Sequence, residues 1–327
     1  MKIGISLDMV NVHHQEPNRN RYESKYYWDE LYPMIATAGF RAVEIPFDPF
    51  WIFRGGSGVP FTKYCIEVKF ETVAKFVAHL QANGIEKVAG IHFNPTIFMR
   101  NENLDFYFGA SGYFGGESIR YAAELGCDYI AITPTPPYGL VQHYHGKYPN
   151  WEGDFMNRTI QLINGFATIA QEKGIKISLR NEYWSVLRSQ DYQTFLSQLN
   201  DSIHFNIDSA NLSIAGQNST ELLKNNASKI GSIYLTDTAF MDDNETWKTP
   251  LPEYPQHRAT QVFKDIGLGK VDLSGFCQTL KEINYDGWAI VSNRQTREPM
   301  RALLRSRKTI SELAGGSLQL GDFGIKK

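Results

Sequence analysis

The chain has 327 residues, of which 42% are hydrophobic and 13% aromatic, so it is long enough to bury one large core. Its formal net charge is −2 and both signs are mixed along the sequence, which argues against a partner such as nucleic acid or an acidic membrane. We therefore expect a single domain that binds a small, uncharged molecule.

The cysteines and the N-terminal segment bear on the cellular compartment. Cys65, Cys127 and Cys277 lie far apart without the paired spacing of a disulfide framework or a zinc site, so we expect free, buried thiols. The first apolar run is interrupted at Asp8 and is too short for a signal sequence, and no segment approaches the length of a membrane span. These features predict a cytoplasmic protein.

Eight short apolar segments, each followed by a segment of helical periodicity, predict a parallel α/β fold. The predicted strands are Lys2–Leu7, Ala42–Ile45, Lys87–Ile91, Tyr129–Thr133, Lys176–Leu179, Ile203–Ile207, Ser232–Leu235 and Trp288–Val291. The predicted helices are Tyr27–Ala38, Phe70–Asn83, Glu117–Leu125, Trp151–Lys173, Gln190–Leu199, Thr220–Asn226, Leu273–Ile283 and Glu298–Leu313. Eight alternations indicate a closed (β/α)8 TIM barrel over residues 1–314, followed by a tail at 315–327.

Loop lengths indicate which end of the barrel carries the site. Several helices pass into the next strand through a single glycine, as at Gly84 and Gly126, where a left-handed residue ends the helix. The predicted strand-to-helix connections are long and rich in aromatic and polar residues: Pro46–Lys69, His92–Gly116, Pro134–Asn150 and Thr236–Asp272. We therefore expect the site at the C-terminal ends of the strands.

Strand alternation predicts which side chains face into the barrel. Residues such as Val43, Ile177 and Ile233 repeat with period two and are expected to pack under the helices. The opposite parity is polar and collects near the strand ends: Glu44, His92, Thr133, Arg180, Glu182, Asp208, Tyr234 and Ser292.

Several motifs occur in the order found in one known superfamily. They are Ile3-Gly-Ile-Ser, Ala38-Gly-Phe-Arg-Ala-Val-Glu44, the Gly267-Leu-Gly-Lys-Val-Asp272 stretch and Tyr285-Asp-Gly-Trp-Ala-Ile-Val291. With these motifs the chain resembles, over nearly its whole length, the sugar phosphate isomerase/epimerase superfamily. These xylose isomerase-like barrels include inosose dehydratases and keto-sugar epimerases.

The resemblance implies a divalent-metal centre, and this chain departs from it. The family takes a glutamate from strand five, an aspartate from strand six, a histidine from strand seven and a glutamate from strand eight. Here those positions hold Arg180, Asp208, Tyr234 and Ser292. An arginine has no lone pair to give a metal ion. We therefore expect no metal and no other cofactor, with manganese or another divalent ion on Glu182, Asp208 and Asp237 as a minor alternative.

Roles follow for the inward residues. Glu182 is predicted as the acid/base group if burial raises its pKa, and Asp208 and Tyr234 as second acid/base or positioning groups. Two interpretations of Arg180 stay open, a structural ion pair with Asp208 and a fixed cation for a sugar oxyanion. The predicted substrate-binding residues are Asn181, His92, His257, Arg294, Trp51, Asp237 and Ser292.

Two functions remain in view. The first is an isomerase, epimerase or β-eliminating lyase that acts on a sugar, keto-sugar or sugar conjugate through an enolate. The second is a non-catalytic sugar-binding or regulatory subunit that pairs with an active homologue, because three of the four metal ligands are replaced. The expected partners are a small carbohydrate and either a second copy of the chain or a homologous barrel, without nucleic acid or membrane.

Overall fold

A computed structural model describes residues 1–10, 25–49, 63–99, 103–145, 154–185, 188, 192–253 and 261–316. Eight parallel strands close into a barrel in sequence order, and the last strand pairs with the first. The strands are β1 Lys2–Ser6, β2 Ala42–Phe47, β3 Lys87–Phe93, β4 Tyr129–Ile132, β5 Lys176–Arg180, β6 Ile203–Asp208, β7 Ile230–Leu235 and β8 Trp288–Val291. The predicted (β/α)8 barrel is confirmed.

Helices surround the barrel and bury its apolar outer face. They are α1 Lys25–Thr37, α2 Lys63–Phe70, α3 Val73–Ala82, α4 Leu104–Glu124, α5 Tyr138–His145, α6 Asp154–Lys173, α7 Tyr192–Leu196, α8 Ser209–Ile214, α9 Ser219–Asn225, α10 Leu273–Glu282 and α11 Pro299–Gly316. Sequence periodicity did not predict α2, α5 and α8 as separate helices. Short helices supply too few residues for a 3.6-residue pattern to stand out.

The largest error concerns α4, which begins at Leu104 instead of Glu117. The segment was predicted as part of the connection His92–Gly116, and it contains four glycines, of which Gly115 lies at a close contact between two helices. A Cβ on Gly115 would lie 2.2 Å from the Phe166 ring of α6, so only glycine lets the two helices approach this closely. Tyr107 and Phe108, which fall in that predicted connection, are buried in α4 and lie against Phe155.

The barrel interior carries small and polar side chains together with two buried tyrosines. Tyr129 and Tyr234 both donate hydrogen bonds from their hydroxyl groups to Glu44, which is fully buried. Gly90 on β3 provides the space for the Tyr129 ring, because a Cβ there would lie 2.5 Å from its Cζ atom. The predicted inward parity of Glu44 and Tyr234 therefore matches the structure.

The remaining expectations about the chain ends and the thiols meet the structure only in part. Helix α11 continues to Gly316, past the predicted domain boundary at residue 314, and residues 317–327 lie outside the described part. Cys127 and Cys277 are free and buried as expected. Within the described ranges, none of the helices is both long and apolar enough to cross a membrane.

We expect Gly90→Ala to lower the free energy of unfolding by about 1–3 kcal/mol, because the new methyl group would displace the Tyr129 ring in a packed interior. Gly165→Ala is the matched control, since it lies on the exposed side of α6 with nothing within 4 Å of a Cβ and should gain up to about 1 kcal/mol. Urea unfolding of the two variants measures both effects. Equal stabilities would contradict this account of the interior.

Candidate functional site

Arg180, the last residue of β5, occupies the centre of the C-terminal end of the barrel and is fully buried. Its Nη2 donates to Oδ2 of Asp208 at 3.1 Å, and its Nε lies 3.0 Å from Oε1 of Glu182. Its Nη1 lies 3.2 Å from Nδ1 of His92, and its guanidinium carbon is 4.0 Å from the Tyr234 ring centroid. All three nitrogen atoms of the guanidinium therefore face protein groups.

The guanidinium of Arg180 stays protonated and positively charged. Burial lowers the pKa of Arg180, but the neighbouring carboxylates of Glu182 and Asp208 outweigh burial and raise the pKa well above its ordinary value. His92 responds in the opposite direction, because burial and the charge of Arg180 hold its pKa well below the usual range. The imidazole is therefore neutral at physiological pH, and its Nε2 lies 3.1 Å from the Thr133 hydroxyl.

Asp208 is held rigidly at the junction of β6 and α8. Its Oδ1 accepts from the backbone N–H of Asn211 at 3.0 Å and from the Thr236 hydroxyl, which makes it the N-cap of α8. The Asn181 side chain accepts from the backbone N–H of Asp208 at 2.7 Å, so Asn181 ties β5 to β6. Both carboxylate oxygens of Asp208 are thus engaged by protein groups.

Glu182 forms a two-pronged ion pair with Arg294, which follows β8. Both Arg294 Nη atoms donate to the two Glu182 oxygens at 3.0 Å. The same guanidinium lies 3.2 Å from Oε1 of Glu253 and 3.6 Å above the Phe263 ring. The Trp184 indole donates to Glu253 at 2.9 Å, so the loop after β7 is bound to the ends of β5 and β8.

These partners change the predicted behaviour of Glu182. Burial raises the pKa of this carboxyl group, but the charges of Arg180 and Arg294 together outweigh burial and bring it to about 2. The predicted acid/base role required burial to raise the pKa of Glu182. A carboxyl group with so low a pKa is a weaker proton acceptor than an ordinary carboxylate, and the acid/base role of Glu182 stays a prediction.

Glu44 forms the floor of the site below Arg180. Its Oε1 accepts from the Tyr234 hydroxyl and from Ser6 Oγ at 3.2 Å, and its Oε2 accepts from Tyr129 at 2.6 Å. Burial raises the pKa of Glu44 to about 7, although these hydrogen bonds and the charge of Arg180 oppose the shift. Glu44 therefore titrates near neutral pH in the folded protein.

Asp8 joins the site although the sequence analysis treated it only as the end of an apolar run. It follows β1 at the C-terminal end of the barrel, and its Oδ2 accepts from the Ser292 hydroxyl at 2.7 Å. Burial raises its pKa against the opposing charges of Arg180 and Arg294. A polar residue directly after a predicted barrel strand was the signal available in the sequence.

Among the other predicted binding residues, Asp237 has a structural role. Asp237 accepts backbone N–H groups of Gly267 and Gly269 at 2.9 and 2.8 Å, so it holds the loop before α10. A Cβ on Gly269 would lie 2.0 Å from Asp237 Oδ1, which explains the glycine. His257 and Trp51 lie outside the described residues.

The donor set at the family's metal position does not fit a divalent ion. Arg180 donates to Asp208, the one retained ligand, and its guanidinium occupies the neighbouring space as a permanent cation. Tyr234 and Ser292 direct their hydroxyl groups away to Glu44 and Asp8. No group of three or more potential metal-ligating side chains occurs among the residues that the structure describes.

Sequence comparison identifies the relatives of the chain. The xylose isomerase-like TIM barrel family matches residues 33–312. An inosose dehydratase from Clostridium beijerinckii is 25% identical over 158 residues, which cover 47% of this chain and 53% of that protein. The chain thus spans about half the length of the curated relatives that it matches.

Solved structures share the fold over nearly the whole chain. The IOLI protein with a bound zinc atom superposes with a TM-score of 0.66 at 14% identity, covering 98% of this chain and 100% of that one. D-psicose 3-epimerase with D-tagatose from Clostridium cellulolyticum superposes with a TM-score of 0.64 at 15% identity, covering 97% and 99%. At these identities the likeness concerns the barrel architecture alone.

We expect Glu44→Gln to flatten the pH dependence of stability. Because the pKa of Glu44 rises from 4.5 to about 7 on folding, its stabilising contribution is complete below pH 4.5 and is lost as the pH rises through about 7. The wild-type free energy of unfolding, relative to the variant, should fall by on the order of 3 kcal/mol across that window. Urea unfolding from pH 4.5 to 8 measures this difference.

The control for this experiment is Glu86→Gln, an exposed glutamate just before β3 at the opposite end of the barrel. Its stability curve should run parallel to that of the wild type. If the Glu44→Gln curve also runs parallel, Glu44 is not the buried titrating group described above.

Proposed function

Because the chain belongs to the xylose isomerase-like TIM barrel family, we propose that it isomerises, epimerises or dehydrates a sugar or keto-sugar through an enolate. The observation that carries this proposal is the buried network of Arg180, Glu182, Arg294 and Asp208 at the C-terminal end of the barrel. Removal of a proton beside a carbonyl group places negative charge on its oxygen. Fixed guanidinium groups in a buried site stabilise such a charge.

The charge balance of the site supports an uncharged substrate. Among the described residues, the guanidinium groups of Arg180 and Arg294 are each already paired with carboxylates. A phosphate group would have to break these buried pairs, and breaking a buried pair costs several kcal/mol. A neutral sugar exchanges hydrogen bonds with the same groups without that loss.

The proposed reaction proceeds without a divalent metal. Arg180 supports this proposal, because it supplies a fixed positive charge beside Asp208, where the family places its ion. The charge is present at every physiological pH and does not depend on metal supply. Polarisation of the substrate oxygen then falls to guanidinium N–H groups, which donate hydrogen bonds instead of accepting lone pairs.

We expect the combined variant Arg180→Glu, Tyr234→His and Ser292→Glu to bind manganese, because the three substitutions together with Asp208 restore the family's four ligands. The matched control carries Arg180→Gln with the same two other substitutions and should bind at least tenfold more weakly, since an amide replaces one carboxylate. Calorimetry with Mn²⁺ measures both. A stoichiometric metal in purified wild-type protein, lost on Asp208→Ala, would contradict the metal-free proposal.

Within this proposal Glu182 orients the two arginines. We expect Glu182→Gln to lower the free energy of unfolding by about 3–5 kcal/mol, because it leaves two buried guanidinium groups short of a charge. Deuterium exchange from solvent into keto-sugars, expressed per folded molecule, should fall less than tenfold. Glu86→Gln is the exposed control for both measurements.

The opposite result would restore the role predicted from the sequence. If Glu182→Gln keeps its stability and its sugar affinity but loses exchange by roughly 10²-fold or more, Glu182 is the proton-transfer group. The two outcomes separate a positioning carboxylate from a base.

A second candidate function is a sugar-binding or regulatory subunit without catalysis. The observation that favours it is that the fully buried Arg180 guanidinium already has protein partners, with Nη1 beside His92, Nη2 bonded to Asp208 and Nε in an ion pair with Glu182. The same exchange assay distinguishes the two functions. Sugar binding by the wild type without exchange into a panel of ketohexoses, ketopentoses and inososes supports the subunit and contradicts the enzyme.

A further inference from the structure

The carboxyl group of Asp8 is positioned from two sides. It lies in the short 3-10 helix Leu7–Met9 that follows β1, and its backbone N–H bonds to Ser6 Oγ at 3.2 Å. Its Oδ2 accepts from Ser292 on the adjacent end of β8 at 2.7 Å. One carboxylate oxygen is therefore fixed by the first and last strands of the barrel, and the orientation of the other oxygen follows from it.

That other oxygen has no hydrogen-bond donor. Oδ1 of Asp8 is buried and accepts no hydrogen bond in the described structure, and the buried Nε of Arg294 likewise lacks an acceptor. Leaving such groups unpaired costs about 1–3 kcal/mol each, so native proteins rarely retain them without a reason. Arg180 and Arg294 both act electrostatically on Asp8, so the unpaired acceptor and the unpaired donor belong to one charged cluster.

The three fully buried carboxyl groups of the cluster are already paired with protein groups. Glu182 gives both oxygens to Arg294, and Asp208 gives one to Arg180 and the other to Asn211 and Thr236. Both oxygens of Glu44 accept from hydroxyl groups of the barrel floor. Asp8 alone among these four has an oxygen that accepts no hydrogen bond from the described residues, and burial also favours its proton uptake.

We propose that Asp8 is the base that takes the proton from the substrate carbon beside the carbonyl group, with Ser292 as its positioning residue. This inference rests on the proposed function and names the residue that performs its first step. The C–H bond breaks, its electron pair forms the carbon–carbon double bond of the enolate, and the proton moves to Oδ1. The unpaired Nε–H of Arg294 donates to the carbonyl oxygen as that oxygen gains negative charge.

The second step returns the proton to the substrate, so the reaction needs no other reactant. In an isomerisation Asp8 gives it to the neighbouring carbon, while the proton of the neighbouring hydroxyl group passes to the former carbonyl oxygen. An epimerisation needs a proton donor on the opposite face of the enolate, so the role of Asp8 as the only proton carrier applies to isomerisation and dehydration. In a dehydration the enolate expels the β-hydroxyl group, which takes the proton from Asp8 and leaves as water. In each case Asp8 returns to its starting charge.

The test is the Asp8→Asn variant, which keeps the size of the side chain and an acceptor for Ser292 but removes its basicity. We expect solvent-deuterium exchange into the keto-sugar panel to fall by roughly 10²-fold or more while sugar affinity changes less than about threefold. The melting temperature should be equal or higher at pH 8, because a buried charge is removed. Asp286→Asn, exposed just before β8 at the other end of the barrel, is the matched control and should behave like the wild type.

The outcomes separate this inference from the proposed function. Exchange by wild type and by Asp8→Asn alike contradicts the role of Asp8 and leaves the proposed function standing. Absence of exchange by the wild type across the whole panel contradicts the proposed function, and the role of Asp8 falls with it. A loss of exchange that follows a loss of sugar binding or of folded protein identifies Asp8 as structural and contradicts the inference.

Ser292→Ala provides a second test that does not remove the carboxyl group. The Ser292 hydrogen bond lowers the pKa of Asp8, so its loss should shift the acid limb of the kcat/KM profile upward by roughly 0.5–1 pH unit. The other polar groups that act on Asp8 are unchanged in this variant: Ser6, Glu44, Arg180, Tyr234 and Arg294. An acid limb that does not move contradicts Asp8 as the base that this limb reports.

Discussion

The buried guanidinium of Arg180 is the constraint on which the rest of the site depends. Removing a cation of this kind from water costs several kcal/mol, so the barrel must provide charges and hydrogen-bond acceptors around it. Asp208 and Glu182 supply the charges, His92 supplies a neutral nitrogen, and the Tyr234 ring supplies its π face. Each of these partners then requires partners of its own, and the resulting network extends across the C-terminal end of the barrel.

The network continues outward from Glu182 to the loops. Glu182 fixes Arg294, and Arg294 meets Glu253 and the Phe263 ring in the segment between β7 and α10. A loop anchored by a charged pair and by the Trp184 hydrogen bond is held more firmly than its length alone would suggest. Through Glu182 and Arg294 the buried Arg180 is thus connected to Glu253 and Phe263 in this segment.

Strand parity made much of this arrangement predictable. Alternation along β2, β5, β6 and β7 places Glu44, Arg180, Asp208 and Tyr234 inside the barrel, since period two leaves only one face for the polar set. Parity also assigns Glu182 and Ser292, which follow the strand ends, to the inward set, but it does not give their partners. The pairing of Glu182 with Arg294 joins residues after β5 and β8, which only the closed barrel brings together.

Glycine produced the main error for the helices. In α4 the sequence combines glycines with aromatic residues, and intrinsic propensity assigns such a segment to a loop. Tertiary packing overrides propensity, because Gly115 lets Phe166 approach and the burial of Tyr107 and Phe108 offsets the lower helix preference. Helix propensity includes the cost of a glycine to its own helix. It does not include the closer packing that the missing side chain allows with the neighbouring helix.

A guanidinium at the family's metal position contacts a ligand differently from a metal ion. A divalent ion accepts lone pairs from several directions and can bind substrate while it remains bound to protein. Arg180 has a fixed number of N–H groups in one plane, and its neighbours already face all three nitrogen atoms. Its charge still acts through space, and we propose that the unpaired atoms of Asp8 and Arg294 make the direct contacts with a ligand. The position of the family's metal centre then holds the electrostatic support of the site, and the groups that we propose to react lie around it.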